Sequence, residues 1–297
     1  MVLSILWGGS FFFSEVALTA FPPFTIVFLR LIFGAAILLT FMKFRGLKLP
    51  KEKKVWFSFF ILGLLNNAIP FSFIVSGQEL ITGGLASLVN ASTPFFTVIA
   101  AHFLTRDEKI TRRKLAGLLI GFSGVFTLIG LEAVMTGGNS LPGMFMVMTA
   151  SLSYAFGGIW GRRTKALGLE PLVMAAGQLT CAAIILLPLS LFIDAPWTLP
   201  LPGWNVWGAL LGAGLLSTAL AYILYFRILS SSGATSVLLV TFLIPVSAIL
   251  LGVLFLGEAV GFRHFMGMGI LGIGLVVIDG RLMKKAVRVF RGFRTLR

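Results

Sequence analysis

Charged residues are scarce in this sequence: only 11% of its 297 residues are Asp, Glu, Lys or Arg. A soluble domain carries roughly 25% of these residues, so that class of protein is excluded. Cysteine occurs once, as Cys181, which excludes an intramolecular disulfide. The sequence also lacks HExxH and GxSxG motifs and any His, Cys and acid cluster with metal-ligand spacing. No catalytic residue, metal or cofactor is therefore predicted.

Hydrophobic residues make up 58% of the chain, which is the composition of an integral membrane protein. The net charge of +14 would suit nucleic acid only if a soluble basic face carried it. The basic residues lie instead at the ends of apolar runs and in one C-terminal tail, a pattern typical of membrane topology and of anionic-lipid contact. The expected partner is therefore the bilayer, not nucleic acid; a monomer and a homodimer both stay open.

A helix needs about 20 apolar residues to cross the hydrocarbon core of a bilayer. Short connectors separate ten segments of about this length, which predicts an all-α membrane protein with ten transmembrane helices. The segments are 2–20, 24–43, 55–78, 83–105, 112–131, 142–162, 171–193, 205–228, 233–256 and 261–280.

The basic residues predict how these helices are oriented. All but two of the 24 Lys and Arg residues lie in the tail and in the connectors after the second, fourth, sixth and eighth segments. The opposite connectors contain none; they are 20–23, 79–82, 132–142 and 194–202. Because cytoplasmic loops are rich in Lys and Arg, both termini are expected in the cytoplasm. The expected location is the inner membrane of the cell. Anionic lipids are expected at this basic face.

The chain contains one long stretch twice. A shift of 150 residues places Glu108 on Glu258 and Gly117 on Gly267, and Pro94 falls within one residue of Pro245. The predicted units are a first five-helix repeat, 1–132, a second repeat, 142–281, and a basic cytoplasmic tail, 282–297. Because five is odd, the two repeats must cross the membrane in opposite directions, which predicts an inverted 5+5 repeat.

This paired pattern of proline, glutamate and glycines resembles the EamA-type repeat of the drug/metabolite transporter superfamily, in its branch of amino-acid and metabolite exporters. The start Leu6-Trp7-Gly8 and the sequence Phe28-Leu29-Arg30 are also similar to that family. The resemblance covers nearly the whole chain. It implies a central cavity among helices 1–4 and 6–9, with helices 5 and 10 outside, and it implies export.

Polar side chains are costly in a bilayer and tend to face a cavity or a partner helix. The predicted substrate-cavity residues are Trp7, Ser10, Asn66, Asn67, Asn90, Tyr154, Gln178, Ser217, Tyr222 and Thr241. Thr93, Ser151 and Thr218 lie at similar depth. For each Ser and Thr the alternative is plain hydrogen bonding between helices. The three asparagines favour the cavity more strongly, because an amide needs several partners.

Two charges lie deep in the first helical hairpin. Glu15 and Arg30 are expected at similar depth and are predicted to form an ion pair, either structural or involved in coupling. Pro94 and Pro245 each free a backbone carbonyl inside a helix, which makes both positions candidate hinges. Glu108 and Glu258, just before the fifth and tenth helices, are expected to cap them.

The sequence thus predicts a secondary transporter that works by alternating access. Its expected substrates are small organic metabolites, above all amino acids, including aromatic or other neutral ones. A multidrug exporter of organic cations is the alternative and would need an unpaired acid in the cavity. A membrane-embedded lipid-modifying enzyme is the rival from another class, although the sequence offers no nucleophile, base or metal cluster for it.

Overall fold

The computed structural model describes residues 1–130 and 140–280, with side chains at every position there except 165, 229–239 and 242. The predicted tail, 282–297, and most of the connector 132–142 lie outside the described residues. Over the described ranges the ordered elements are helices, and each predicted segment corresponds to one of them. The helices are α1 (Val2–Leu18), α2 (Pro23–Phe44), α3 (Lys53–Gln78), α4 (Gly83–Leu104), α5 (Arg112–Ile129), α6 (Ser140–Thr164), α7 (Pro171–Asp194), α8 (Trp204–Ile228), α9 (Leu243–Leu256) and α10 (Phe262–Asp279).

Local sequence explains where several helices begin and end. Prolines occupy the first turn of α2 and α7, where a missing N–H removes no helical hydrogen bond. The hydroxyl of Thr82 accepts from the backbone N–H of Leu85 at the start of α4, and Thr111 caps α5 in the same way. The expected cap by Glu108 is therefore wrong: Thr111 lies nearer the first free N–H groups of α5.

Seven of the described helices are long and apolar enough to cross a membrane: α2, α3, α4, α6, α7, α8 and α10. The helices α1 and α9 are apolar but shorter. The first turn of α5 carries three basic residues, Arg112, Arg113 and Lys114, which lower its hydropathy. The described chain is therefore an all-α membrane protein.

Helices α8 and α9 flank α1 and run in opposite directions along it. The Trp7 ring lies 5.7 Å from that of Tyr225 in α8, while Gly8 packs against Ser247 in α9. A straight helix would separate positions 225 and 247 by about 33 Å. Tyr225 and Ser247 are therefore not joined by one straight helix, and they belong to two helices, α8 and α9, that both contact α1.

Helices α3 and α4 flank α6 in a similar way. Along α6, Gly143 packs against Gly77 of α3, and Gly157 lies against Asn66, so α3 and α6 are antiparallel. On the α4 side, Ser151 approaches Asn90, and Ala155 and Ile159 pack with Phe96, so α4 and α6 run parallel. The bundle thus contains two three-helix groups, one centred on α1 and one on α6.

Helices α5 and α10 pack mainly against each other, at the edge of the bundle beside α4. Gly117 lies opposite Gly274, and Gly124 lies opposite Gly267, so the two helices are antiparallel. Small residues allow the backbones to approach closely, which is the usual way that helices associate in membranes.

Candidate functional site

Arg30 of α2 is the centre of the polar interior. Its side chain is only 5% exposed. Its Nη1 donates to the Ser10 hydroxyl at 2.7 Å and its Nε donates to the Thr218 hydroxyl at 2.9 Å. The guanidinium also lies 3.9 Å from the centre of the Phe71 ring, in a cation–π contact. Four helices, α1, α2, α3 and α8, therefore position this one charge.

The ion pair predicted between Arg30 and Glu15 is not formed. Helix α1 packs mainly against α8 and α9, whereas α2 packs against α7 and α8, so the two helices are not neighbours along their length. Arg30 is level with Ser10, while the Glu15 carboxylate accepts from the backbone N–H of Gly83 at 2.7 Å. Among the described acids, none forms a salt bridge with Arg30.

A buried arginine without a counter-ion is costly. Insertion measurements give about 2.5–3.5 kcal/mol for a charged side chain at the centre of a membrane helix. The two hydroxyls and the Phe71 ring offset part of this cost but supply no negative charge. Such residues usually mark a site of function, so Arg30 is the strongest candidate in the described chain.

Two tyrosines and one asparagine adjoin the arginine. Tyr154 of α6 and Tyr222 of α8 both lie close enough to interact electrostatically with Arg30. The Tyr222 hydroxyl donates to Asn67 Oδ1 at 3.0 Å. Asn67 is fully buried, and its Nδ2 has no hydrogen-bond partner. A group that accepts hydrogen bonds would satisfy this donor.

The arrangement therefore brings together six residues: Ser10, Arg30, Asn67, Tyr154, Thr218 and Tyr222. Sequence reasoning named all of these except Thr218 as site residues, although Thr218 was placed at the same depth. It missed Phe71, because one phenylalanine among 29 carries no sequence signal that distinguishes it.

The other predicted cavity residues have different surroundings. Trp7 packs against Tyr225, Asn66 contacts Gly157, and Asn90 Oδ1 lies 3.4 Å from the Ser151 hydroxyl. Gln178 and Ser217 are buried, and each has a side-chain oxygen without a partner. Thr241 is half-buried just before α9.

Wide turns interrupt the two helices that carry several of these polar groups. The backbone is π-helical over Leu64–Ala68 in α3, which holds Asn66 and Asn67, and over Gly212–Leu220 in α8, which holds Ser217 and Thr218. A shift of 150 residues places the first turn within the second. Such wide turns are frequent at functional sites, because they change the direction in which side chains point.

The two prolines differ in their surroundings. Helix α4 is interrupted by a turn at Ala91 and Ser92, and Pro94 stands in the first turn of its second part. Pro245 lies near the start of α9, and the backbone around it is helical from Ala221 to Leu251 without a turn like that at Ala91 and Ser92.

A second polar site lies at the start of α4. The carboxylates of Glu15 and Glu258 accept from the consecutive N–H groups of Gly83 and Gly84, at 2.7 and 3.1 Å, so the two acids lie side by side. Glu258 was expected to cap α10, but its side chain turns to α4 instead. An adjoining cavity of about 440 Å³ is lined by Glu15, Gln78, Glu79, Arg263 and His264 among others.

On the other side of the bundle, Arg162 Nη2 lies 2.7 Å from Glu108 Oε1 and its Nη1 lies 3.6 Å from Asp107. These contacts join the end of α6 to the α4–α5 connector. Over residues 1–130 and 140–280, no three His, Cys, Asp or Glu side chains are grouped so that they could hold a metal ion.

Comparison with known proteins identifies the kind of molecule that this bundle forms. The EamA-like transporter family matches residues 1–130 and 141–279. The chain belongs to this family. Relatives of this EamA-like transporter include the uncharacterized inner membrane transporter YedA of Escherichia coli (strain K12), which is 29% identical over 93% of this chain and 88% of YedA. The uncharacterized transporter YoaV of Bacillus subtilis (strain 168) is 26% identical over 89% of this chain and 90% of YoaV.

Protein PecM of Dickeya dadantii (strain 3937) is also 26% identical to this EamA-like transporter, over 92% of this chain and 89% of PecM. A crystal structure with 22% sequence identity shares its fold, with a TM-score of 0.68 over 96% of both chains. The family and the helices together make the protein a multi-pass membrane transporter.

Proposed function

We propose that this EamA-like transporter is a secondary transporter that moves small organic metabolites, above all amino acids, by alternating access. The observation that carries the proposal is the Arg30 site, because both halves of the chain build it. Ser10, Arg30 and Asn67 come from the first half, and Tyr154, Thr218 and Tyr222 come from the second. A molecule bound there would contact both halves and would respond to their relative movement.

The proposed architecture is ten transmembrane helices in an inverted 5+5 repeat. Repeat-related contacts support it: α1 lies between α8 and α9 as α6 lies between α3 and α4. The contact of Gly117 with Gly274 has its counterpart in that of Gly124 with Gly267, as a twofold relation requires. The family matches two separate ranges of the chain, 1–130 and 141–279, which also favours a duplicated five-helix unit.

Alternating access needs places where helices bend. The interruption of α4 before Pro94 and the π-helical turns of α3 and α8 are our candidates, because they lie in helices that carry the polar groups. Pro245 is proposed as a hinge at the equivalent position of α9. The remaining helices, α5 and α10, are proposed to support the bundle from outside.

The proposed orientation has both termini in the cytoplasm and the Glu15–Glu258 site on the outer side, and the basic connectors support it. The inner membrane is the proposed location, with anionic lipids at the basic face. Export is the proposed direction, because the sequence resembles exporters.

An exporter of organic cations is the second candidate. The specific observation in its favour is that Glu15 is not neutralised by Arg30 and lies with Glu258 beside a cavity. The central site argues against it, because its only charge is positive.

Counterflow in proteoliposomes tests the proposal. Purified protein is reconstituted with one unlabelled compound inside, and entry of the same labelled compound is followed for a panel of amino acids and organic cations. If amino acids exchange and none of the cations does, the result supports the first candidate. Exchange of cations alone supports the second, and exchange of no compound would contradict transport of either class.

A further inference from the structure

We infer that Arg30 binds a carboxylate of the transported molecule, so that the substrates are organic acids or zwitterions and not organic cations. The inference rests on the proposed function, because it assigns a substrate class to the same site. Its basis is the imbalance of charge and of hydrogen-bond donors around the guanidinium.

The arginine has donors to spare. A guanidinium carries five N–H groups, and the hydroxyls of Ser10 and Thr218 accept from two of them. The Phe71 ring covers one face of the plane at 3.9 Å and fixes its orientation without using an N–H. Two parallel N–H groups of a fixed guanidinium fit a carboxylate in a bidentate pair.

The surroundings favour an anion for a second reason. The neighbouring side chains are neutral, and Asn67 adds a buried amide nitrogen that has no acceptor. A carboxylate would therefore satisfy the free N–H groups and supply the counter-charge that no described acid supplies. An organic cation in the same place would add a second positive charge to a poorly solvated site.

The site also suggests how binding affects movement. Before binding, Arg30 already links α1 through Ser10 to α8 through Thr218. A carboxylate that joins the guanidinium would add to the link that Arg30 already makes between the first and second halves. We expect the contact between Arg30 and the carboxylate to affect mainly the substrate concentration that gives half-maximal transport.

Matched pairs of compounds test this inference on the wild-type protein. Each amino acid that exchanges in the counterflow assay is compared with its methyl ester, which keeps the side chain and the amine but loses the carboxylate. We expect the acid to compete for exchange at least tenfold better than the ester. Equal competition by acid and ester would overturn the inference while leaving transport intact, whereas failure of every compound to exchange would defeat the proposed function itself.

Variants separate a binding role from a structural one. Arg30→Gln is expected to reduce the acid-to-ester preference at least tenfold, and Arg30→Lys is expected to keep part of it. The control Arg45→Gln makes the same change at an exposed position and should leave the preference unchanged. A folded Arg30→Gln protein with an unchanged preference would overturn the inference. If Arg30→Gln does not fold, the ester comparison on the wild-type protein decides alone.

Discussion

Gly117 and Gly274 meet backbone to backbone where α5 crosses α10. A methyl group built on Gly274 would lie 2.8 Å from the Gly117 carbonyl oxygen and 2.7 Å from the Gly121 nitrogen. Neither backbone atom can rotate away, so the helices themselves would have to separate. The glycine-rich faces of α5 and α10 are thus in contact, and they hold together the two helices that are proposed to support the bundle.

Gly274→Ala is therefore expected to lower stability by about 1–3 kcal/mol, the usual effect of overpacking a tight contact. Thermal unfolding of the purified protein in detergent measures this change. The matched control is Gly269→Ala in the same helix, where an added methyl group would meet nothing within 4 Å. Equal melting temperatures for the two variants would show that the α5–α10 contact is not close.

The contact between Gly157 and the Asn66 amide gives a prediction about α3 and α6. A methyl group on Gly157 would overlap the Asn66 side chain, which lies in the π-helical turn of α3. Gly157→Ala should therefore reduce transport, and the double variant with Asn66→Ala should recover part of it, because the smaller side chain leaves room. Gly158→Ala is the control, since no atom lies within 4 Å of its added methyl group. Additive losses in the double variant would contradict this packing.

The ion pair of Arg162 with Glu108 joins the two halves on the proposed cytoplasmic side. Both side chains are partly exposed, at 42% and 39%, so solvent screens their attraction. Glu108→Gln should therefore change stability by no more than about 1 kcal/mol. Asp107→Asn, at a longer and more exposed contact, should change it less. Chemical unfolding at low and high salt measures both, and a larger loss that salt does not reduce would contradict the screened pair.

The paired carboxyls of Glu15 and Glu258 give a prediction about the start of α4. Glu258→Ala removes the acceptor for the Gly84 N–H and should cost about 0.5–2 kcal/mol, as the loss of a helix cap does. Glu258→Gln should cost less, because its amide oxygen can still accept from the Gly84 N–H. The difference between the two melting temperatures is the measurement. Equal destabilisation by both variants would show that hydrogen bonding by Glu258 does not stabilise α4.

The sequence could predict the helices but not all of their neighbours. Apolar length and basic connectors are local properties, so the ten segments follow from them. The prediction of an ion pair between Glu15 and Arg30 was wrong because it assumed that helices adjacent in sequence are adjacent in space. Helix α1 lies instead between α8 and α9, which gives Arg30 its contacts with Ser10 and Thr218.

The roles of Glu258 and Phe71 depend on the same tertiary arrangement. Glu258 precedes α10 in sequence but lies beside Gly84, 174 positions away, and no local pattern encodes that contact. Phe71 becomes informative only because Arg30 lies over its ring. In a bilayer the choice among helical partners is made by shape and by a few polar groups, since the apolar surfaces resemble one another.

The central claim is that equivalent positions of the two repeats lie on opposite sides of the membrane. Lys109 and Ala259 are such a pair, related by the 150-residue shift, and both are exposed. Each is replaced by cysteine in a Cys181→Ala background and labelled in intact cells with a thiol reagent that does not cross the inner membrane. The account predicts labelling of Ala259→Cys in intact cells, and of Lys109→Cys only after the membrane is opened. Labelling of both, or of neither, in intact cells would contradict the inverted repeat.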